Sequence, residues 1–126
     1  MRVRIYYHHT DCGGVVYYAN YLNFFEEART DYFARRGCSI KELSDSGTMF
    51  VVARQEIDYK APAFYGDELE IKTKVAQITG VKIIFEHETL NQSGALLNMA
   101  RTVLVCVEKN LKPKAIPDSV RSKFSQ

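Results

Sequence analysis

The sequence predicts an α+β domain in which a five-stranded, mostly antiparallel sheet wraps around one long central helix. A single long amphipathic stretch occupies residues 18–36, and strand-like segments lie before and after it. The later segments follow one another with short connections, which antiparallel strands allow and parallel strands do not. The chain has 126 residues, the length of one domain with its own core. We therefore expect residues 1–126 to form a single domain.

The chain begins with a predicted strand over residues 2–8. Because successive side chains of a strand point to opposite faces, the adjacent His8 and His9 are expected to diverge and not to bind one ion together. A loop over residues 10–15 follows, and its Gly-Gly pair at residues 13–14 can take the positive φ angles that other residues avoid.

The long helix is the most clearly indicated element. We expect it to begin between Tyr18 and Asn20, with Asn20 as its N-cap. It ends before Gly37, a residue type that favours the position just after a helix. Apolar residues recur on one face at helical spacing and predict a buried stripe. That stripe consists of Tyr21, Phe25, Ala28 and Tyr32.

After a short helix over residues 39–46, the pattern changes to that of strands. We predict four strands, over residues 49–59, 68–75, 81–90 and 95–108. The predicted strand over residues 68–75 alternates between apolar and charged side chains, which is typical of a half-buried antiparallel strand. A weak helical turn is predicted over residues 118–124. One long helix covers only one face of such a sheet, so we expect a second copy to meet another face or an edge.

Composition argues against several classes of function. The chain has 17 basic and 15 acidic residues and no run of Lys or Arg, so we expect no nucleic-acid partner. No stretch of 18 apolar residues is present, so no membrane span is predicted. The three cysteines are widely spaced and match no zinc ligand set, which predicts free thiols in the reducing cytoplasm.

The stretch from residue 6 to residue 29 contains the candidate site. A carboxylate, Asp11, lies just before the glycine pair and the start of the helix, and these are the parts of a site that polarises an acyl carbonyl. The full pattern is Tyr7-x-x-Thr10-Asp11-x-x-Gly14-x-Val16-Tyr17-Tyr18-Ala19-Asn20-Tyr21-Leu22, continuing to Phe25-Glu26-x-Ala28-Arg29. This pattern resembles the hotdog-fold thioesterases, and more closely the 4-hydroxybenzoyl-CoA thioesterase family, which includes the bacterial acyl-CoA thioesterases associated with the Tol–Pal system.

The resemblance implies a hotdog fold whose protomers join edge to edge as a homodimer, and dimers of this family often pair again into a homotetramer. The active site then lies at the protomer interface. The implied reaction is hydrolysis of an acyl-CoA, or of an acyl carrier protein thioester, to a free acid and a thiol. No metal or cofactor is expected.

The resemblance also assigns roles to residues. Asp11 matches the family's catalytic aspartate, as a nucleophile or as a general base on water. The backbone N–H of Tyr18 matches the amide that polarises the thioester carbonyl. Tyr7 is expected to hydrogen-bond or position the carboxylate. The implied substrate-binding residues are Gly14, Val16, Tyr21 and Lys82, the last for the phosphates of CoA.

The chain departs from its relatives at two places. Many relatives have an acidic pair where this chain has His8 and His9, and many of the Tol–Pal type have His where it has Tyr18. An alternative function is a hotdog module that binds acyl thioesters without hydrolysing them, because a fold does not guarantee catalysis. A dehydratase-type hotdog enzyme is a third possibility. The position of Asp11 favours the thioesterase.

Overall fold

The computed structural model describes residues 1–124 as a five-stranded sheet packed on one long helix. The strands are β1 (Arg2–Arg4), β2 (Met49–Tyr59), β3 (Glu68–Ile78), β4 (Lys82–Leu90) and β5 (Leu96–Val107), and the helices are α1 (Asn20–Arg35), α2 (Ile40–Asp45) and α3 (Asp118–Phe124). Neighbouring strands are antiparallel throughout, in the order β1-β3-β4-β5-β2. The predicted sheet, the long helix and the four later strands are confirmed.

The first strand is shorter than predicted. It ends at Arg4, and residues 7–9 form a turn of 3₁₀ helix. The backbone N–H of Tyr6 donates to His9 Nδ1 over 2.9 Å, and the N–H of His9 donates to the Tyr6 carbonyl over 3.0 Å. These two bonds close the turn and bring the rings of His8 and His9 to 4.0 Å between centroids. The prediction that the two histidines diverge in a strand was therefore wrong.

The start of α1 also differs from the prediction. Ala19, not Asn20, occupies the N-cap position, and Asn20 is the first residue of the helix. The side-chain Nδ2 of Asn20 donates to the carbonyl of His9 over 2.8 Å, so this amide holds the helix to the preceding turn. The other end is as predicted, because Gly37 follows the last turn with φ of +78°.

Two groups of buried apolar side chains fill the space between α1 and the sheet. In the first, Tyr21, Phe25 and Ala28 of the predicted stripe pack with residues of β3 such as Leu69. In the second, the partly buried Tyr32 packs with the buried residues Phe33, Ile83, Phe85, Leu104 and Phe124. Full burial of one such side chain contributes about 1.5–3 kcal/mol to the free energy of unfolding. The stripe predicted from helical spacing therefore anchors α1 to the sheet.

Strand β2 lies at one edge of the sheet. It pairs with β5 on one side, and no other strand of residues 1–124 pairs with its outer side. Val52 and Tyr59 on this strand are 52% and 49% exposed. A long edge strand with exposed apolar side chains is a surface on which another chain can pair. No helix within residues 1–124 is long and apolar enough to cross a membrane.

Candidate active site

A closed loop carries Asp11. The N–H of Asp11 donates to the carbonyl of Val15 over 2.9 Å, and the N–H of Gly14 donates to the carbonyl of Asp11 over 3.0 Å. Gly14 has φ of +80°, which glycine adopts without the steric cost that a side chain brings. At the base of the loop, the N–H of Tyr17 donates to the carbonyl of His9 over 2.9 Å. The backbone on both sides of Asp11 is therefore fixed.

One oxygen of the Asp11 carboxylate is held and the other is free. The N–H of Gly13 donates to Oδ1 over 2.8 Å, and a Cβ at position 13 would lie only 3.2 Å from that oxygen. Within the described part of the chain no group donates to Oδ2, and the side chain is exposed. Oδ2 can therefore accept a proton from water or attack a carbon atom. The described residues contain no group of three or more His, Cys, Asp or Glu side chains placed to hold a metal ion.

The backbone N–H of Tyr18 is the predicted oxyanion donor. The N–H of Asn20 donates to the carbonyl of Tyr17 over 2.9 Å, so Tyr18 lies in the turn just before the N-cap. No acceptor among residues 1–124 takes a hydrogen bond from the Tyr18 N–H. Its carbonyl accepts from the Tyr59 hydroxyl over 3.0 Å, which holds this residue against β2. An unpaired N–H beside the positive end of a helix can stabilise a developing oxyanion.

Exposed aromatic rings surround the loop. The rings of Tyr17 and Tyr18 lie 4.9 Å apart, and the pKa of Tyr17 is raised by its side-chain hydrogen bond with Tyr18 and, more weakly, by the charge of Asp11. Exposed apolar surface of this kind marks a place where a ligand or another chain binds. The exposed rings in this region are those of Tyr6, Tyr7, Tyr17, Tyr18, Tyr59, Phe64 and Tyr65.

Three other predicted site residues, Tyr7, Val16 and Tyr21, make no contact with the Asp11 carboxylate among the described hydrogen bonds and ring contacts. Tyr7 is 78% exposed, and its ring meets that of Tyr65 edge-on at 5.8 Å, while its described contacts do not include Asp11. Val16 and Tyr21 are buried in the first apolar group. Burial raises the pKa of Tyr21 to about 12.

Lys82 lies near the opposite end of the sheet. It pairs with Val105, whereas Tyr59, which contacts Tyr18, pairs with Asn98 on the same strand. The two positions on β5 are separated by roughly 23 Å at the rise of a strand. The structure therefore does not bring Lys82 to the Asp11 loop of its own chain.

Two residues that sequence reasoning did not place in the site hold it together. The Tyr59 hydroxyl fixes the Tyr18 carbonyl, and the two residues are 41 positions apart, so no local spacing indicates the contact. His9 joins its own turn to the loop and the helix, because its carbonyl accepts from both Tyr17 and Asn20. The only feature of the sequence that pointed to His9 as part of the site was its closeness to Asp11.

An antiparallel sheet curled on one long helix is the architecture of the hotdog class of proteins, and in this chain a carboxylate loop precedes that helix. The chain belongs to the thioesterase-like superfamily, which it matches over residues 5–124. It is 39% identical over 125 residues to the acyl-CoA thioester hydrolase YbgC of Escherichia coli, an alignment that covers 98% of this chain and 93% of that protein. It is also 39% identical over 124 residues to the acyl-CoA thioesterase YbgC of Haemophilus influenzae, with 97% and 90% covered.

A solved structure agrees with this assignment. The DHNA-CoA thioesterase of Staphylococcus aureus superposes with a TM-score of 0.95 at 27% sequence identity, covering 99% of this chain and 87% of that one. The hotdog fold and the thioesterase family expected from the sequence are thereby confirmed.

Proposed function

We propose that this protein is a thioesterase that hydrolyses an acyl-CoA to a free acid and a thiol, with Asp11 as the catalytic carboxylate. The observation that carries the proposal is the Asp11 loop, in which a carboxylate with one free oxygen shares a short segment with the unpaired N–H of Tyr18. The relatives that are acyl-CoA thioester hydrolases support the choice of substrate.

The chemistry divides between the two groups. The N–H of Tyr18 donates to the thioester carbonyl oxygen and stabilises its negative charge as the carbonyl carbon is attacked. If Asp11 is the nucleophile, its free oxygen bonds to that carbon, the C–S bond breaks and the CoA thiolate leaves, and water then hydrolyses the mixed anhydride. If Asp11 is the general base, it takes a proton from the water that attacks.

A single turnover in ¹⁸O-labelled water detects the nucleophilic route when water attacks the aspartyl carbonyl of the anhydride. Hydrolysis of an anhydride by attack at its aspartyl carbonyl leaves ¹⁸O in the Asp11 carboxylate, which mass spectrometry of the proteolysed protein detects. The general-base route, like attack of water on the acyl carbonyl of the anhydride, leaves the enzyme unlabelled and places one ¹⁸O atom in the released acid.

We also propose that the active form is a homo-oligomer, a dimer or a tetramer, of this single domain in the cytoplasm. The unpaired outer side of β2 and the exposed rings around Asp11 support association, because both leave apolar surface that a second copy can cover. A second copy is also the simplest way to bring a Lys82 side chain near an Asp11 loop. The free cysteines fit a reducing compartment.

The test is the release of thiol from a panel of substrates. The panel contains short and long aliphatic acyl-CoAs, benzoyl-type acyl-CoAs and an acyl carrier protein thioester, each measured with the wild type and with Asp11→Asn. Turnover by the wild type and none by the variant supports the proposal and identifies the acyl group and its carrier. Binding of acyl-CoA without turnover of any substrate would overturn it in favour of a non-catalytic binding module.

A further inference from the structure

His9 forms hydrogen bonds through both its ring and its backbone. Its ring nitrogen Nδ1 accepts from the N–H of Tyr6 over 2.9 Å, one of the two bonds that close the 3₁₀ turn. Its carbonyl accepts from the N–H of Tyr17 over 2.9 Å and from Nδ2 of Asn20 over 2.8 Å. One residue thus ties together the turn before the Asp11 loop, the end of that loop and the first residue of α1.

The ring can make its bond to Tyr6 only while Nδ1 carries no proton. In the imidazolium form both ring nitrogens are donors, so Nδ1 would face the Tyr6 N–H as a second donor. The ring packs beside the ring of His8, with centroids 4.0 Å apart, and meets Phe24 of α1 edge-on at 5.3 Å. A proton on His9 therefore breaks one of the two bonds that close the turn.

We propose that His9 is a positioning residue for Asp11, and that protonation of its ring loosens the Asp11 loop and lowers the activity. The proposal rests on the proposed function of Asp11. It concerns the pair of histidines in the turn that precedes the carboxylate loop.

The groups around His9 determine the direction in which its pKa shifts. Partial burial and the neighbouring charge of His8 lower the pKa of His9 from 6.5, so the loss of activity begins below that pH. The ionisable groups near it are Tyr6 and His8 in its own turn and Asp11 and Tyr17 in the loop. From α1 it meets Phe24 and Asn20, and neither of these titrates.

The experiment combines two variants of His9 with one of His8. In His9→Asn the side-chain oxygen can take the place of Nδ1 as acceptor, but it does not titrate. In His9→Leu the acceptor is lost at every pH. His8→Gln removes the neighbouring charge and should move the titration of His9 to higher pH. The dependence of kcat on pH is measured for all four proteins, with the substrate that the acyl-CoA panel identifies.

A second readout does not depend on activity. The backbone amide signals of Tyr6 and Tyr17 are followed by ¹⁵N NMR over the same pH range. We expect both amides to report a titration below pH 6.5 that is present in the wild type, lost in His9→Asn and moved to higher pH in His8→Gln. A shift that persists in His9→Asn is not assigned to His9. This result stands or fails separately from the assignment of Asp11 as the catalytic group.

The expected activities follow from the loss of one hydrogen bond. In the wild type, kcat falls roughly 3- to 10-fold on the acid side as His9 titrates. His9→Asn keeps its activity through this range, and His9→Leu is low throughout. The proposal is overturned if His9→Asn shows the same acid limb as the wild type, or if the Tyr17 amide does not follow the titration.

Discussion

The hydroxyl of Tyr59, at the end of the edge strand β2, donates a hydrogen bond to the backbone carbonyl of Tyr18 over 3.0 Å. The residue whose N–H is the proposed oxyanion donor is therefore fixed by a side chain 41 residues further along the chain. The rings of the same two residues meet edge-on at 6.4 Å. The site thus depends on the sheet as well as on its own loop.

Tyr59→Phe removes this hydrogen bond and keeps the ring contact. One net hydrogen bond is worth about 0.5–1.5 kcal/mol, so we expect kcat to fall roughly 2- to 10-fold as the Tyr18 N–H becomes less well placed. Steady-state thiol release measures this. Tyr65→Phe is the matched control, because Tyr65 is an exposed tyrosine of the same region and should tolerate the change. Equal rates for both variants and the wild type would show that the Tyr18 carbonyl needs no support.

The two glycines of the loop should respond differently to alanine. Gly14 has φ of +80° and open space where a Cβ would lie, so Gly14→Ala should lower the free energy of unfolding by about 1–2 kcal/mol. At Gly13 a Cβ would lie 3.2 Å from Asp11 Oδ1, so Gly13→Ala should displace the carboxylate and lower kcat with a smaller effect on stability.

Urea unfolding and thiol release, measured on both variants, test this contrast. Gly14→Asn is the control, because asparagine tolerates positive φ better than alanine and should recover part of the lost stability. If Gly13→Ala retained full kcat, the position of the Asp11 carboxylate would not matter to turnover.

His87 should make the fold sensitive to acid. Burial and the nearby charge of Arg29 lower the pKa of His87 to about 3, whereas its value in the unfolded chain is near 6.5. Between these values the unfolded chain binds a proton that the folded chain does not. The stabilising contribution is therefore complete above pH 6.5 and is lost progressively as the pH falls towards 3. The slope is at most about 1.4 kcal/mol per pH unit.

Urea unfolding at pH 7.5 and pH 5 checks this for the wild type and His87→Phe. The substitution keeps an aromatic ring where His87 stacks on Phe25 at 4.7 Å, but it leaves the Thr73 hydroxyl without its partner Nδ1. We expect the variant to be less stable at pH 7.5 and to lose less stability on acidification. Parallel losses in the two proteins would refute the assignment of this acid sensitivity to His87.

Periodic patterns predicted most of the fold. The helical spacing of Tyr21, Phe25 and Ala28 identified the buried face of α1, and the alternation after Glu68 identified β3. Both patterns are local, because a buried face must repeat with the period of its own element. Gly37 likewise marked the end of α1 through the conformation it alone adopts easily.

The predictions that were wrong concern residues whose side chains hydrogen-bond to the backbone. Alternation suggested that the first strand continues to His8, but the bond from the Tyr6 N–H to the His9 ring favours a 3₁₀ turn. Asparagine is a residue type that favours the N-cap position, but the side-chain amide of Asn20 donates to the His9 carbonyl instead. Such bonds compete with regular structure and have no periodic signal. For the same reason, the support of Tyr18 by Tyr59 was not foreseeable from the sequence.

The most direct test of this account is the rate of thiol release by Asp11→Asn. Asparagine keeps an oxygen that can accept from the N–H of Gly13, so the loop, the thermal midpoint and the binding of CoA should be close to those of the wild type. It lacks the charge needed to attack a carbon atom or to take a proton from water. We predict a fall in kcat of about 10²- to 10⁴-fold with the fold intact. Turnover by a folded Asp11→Asn within a few-fold of the wild-type rate would contradict the assignment of Asp11 as the catalytic carboxylate.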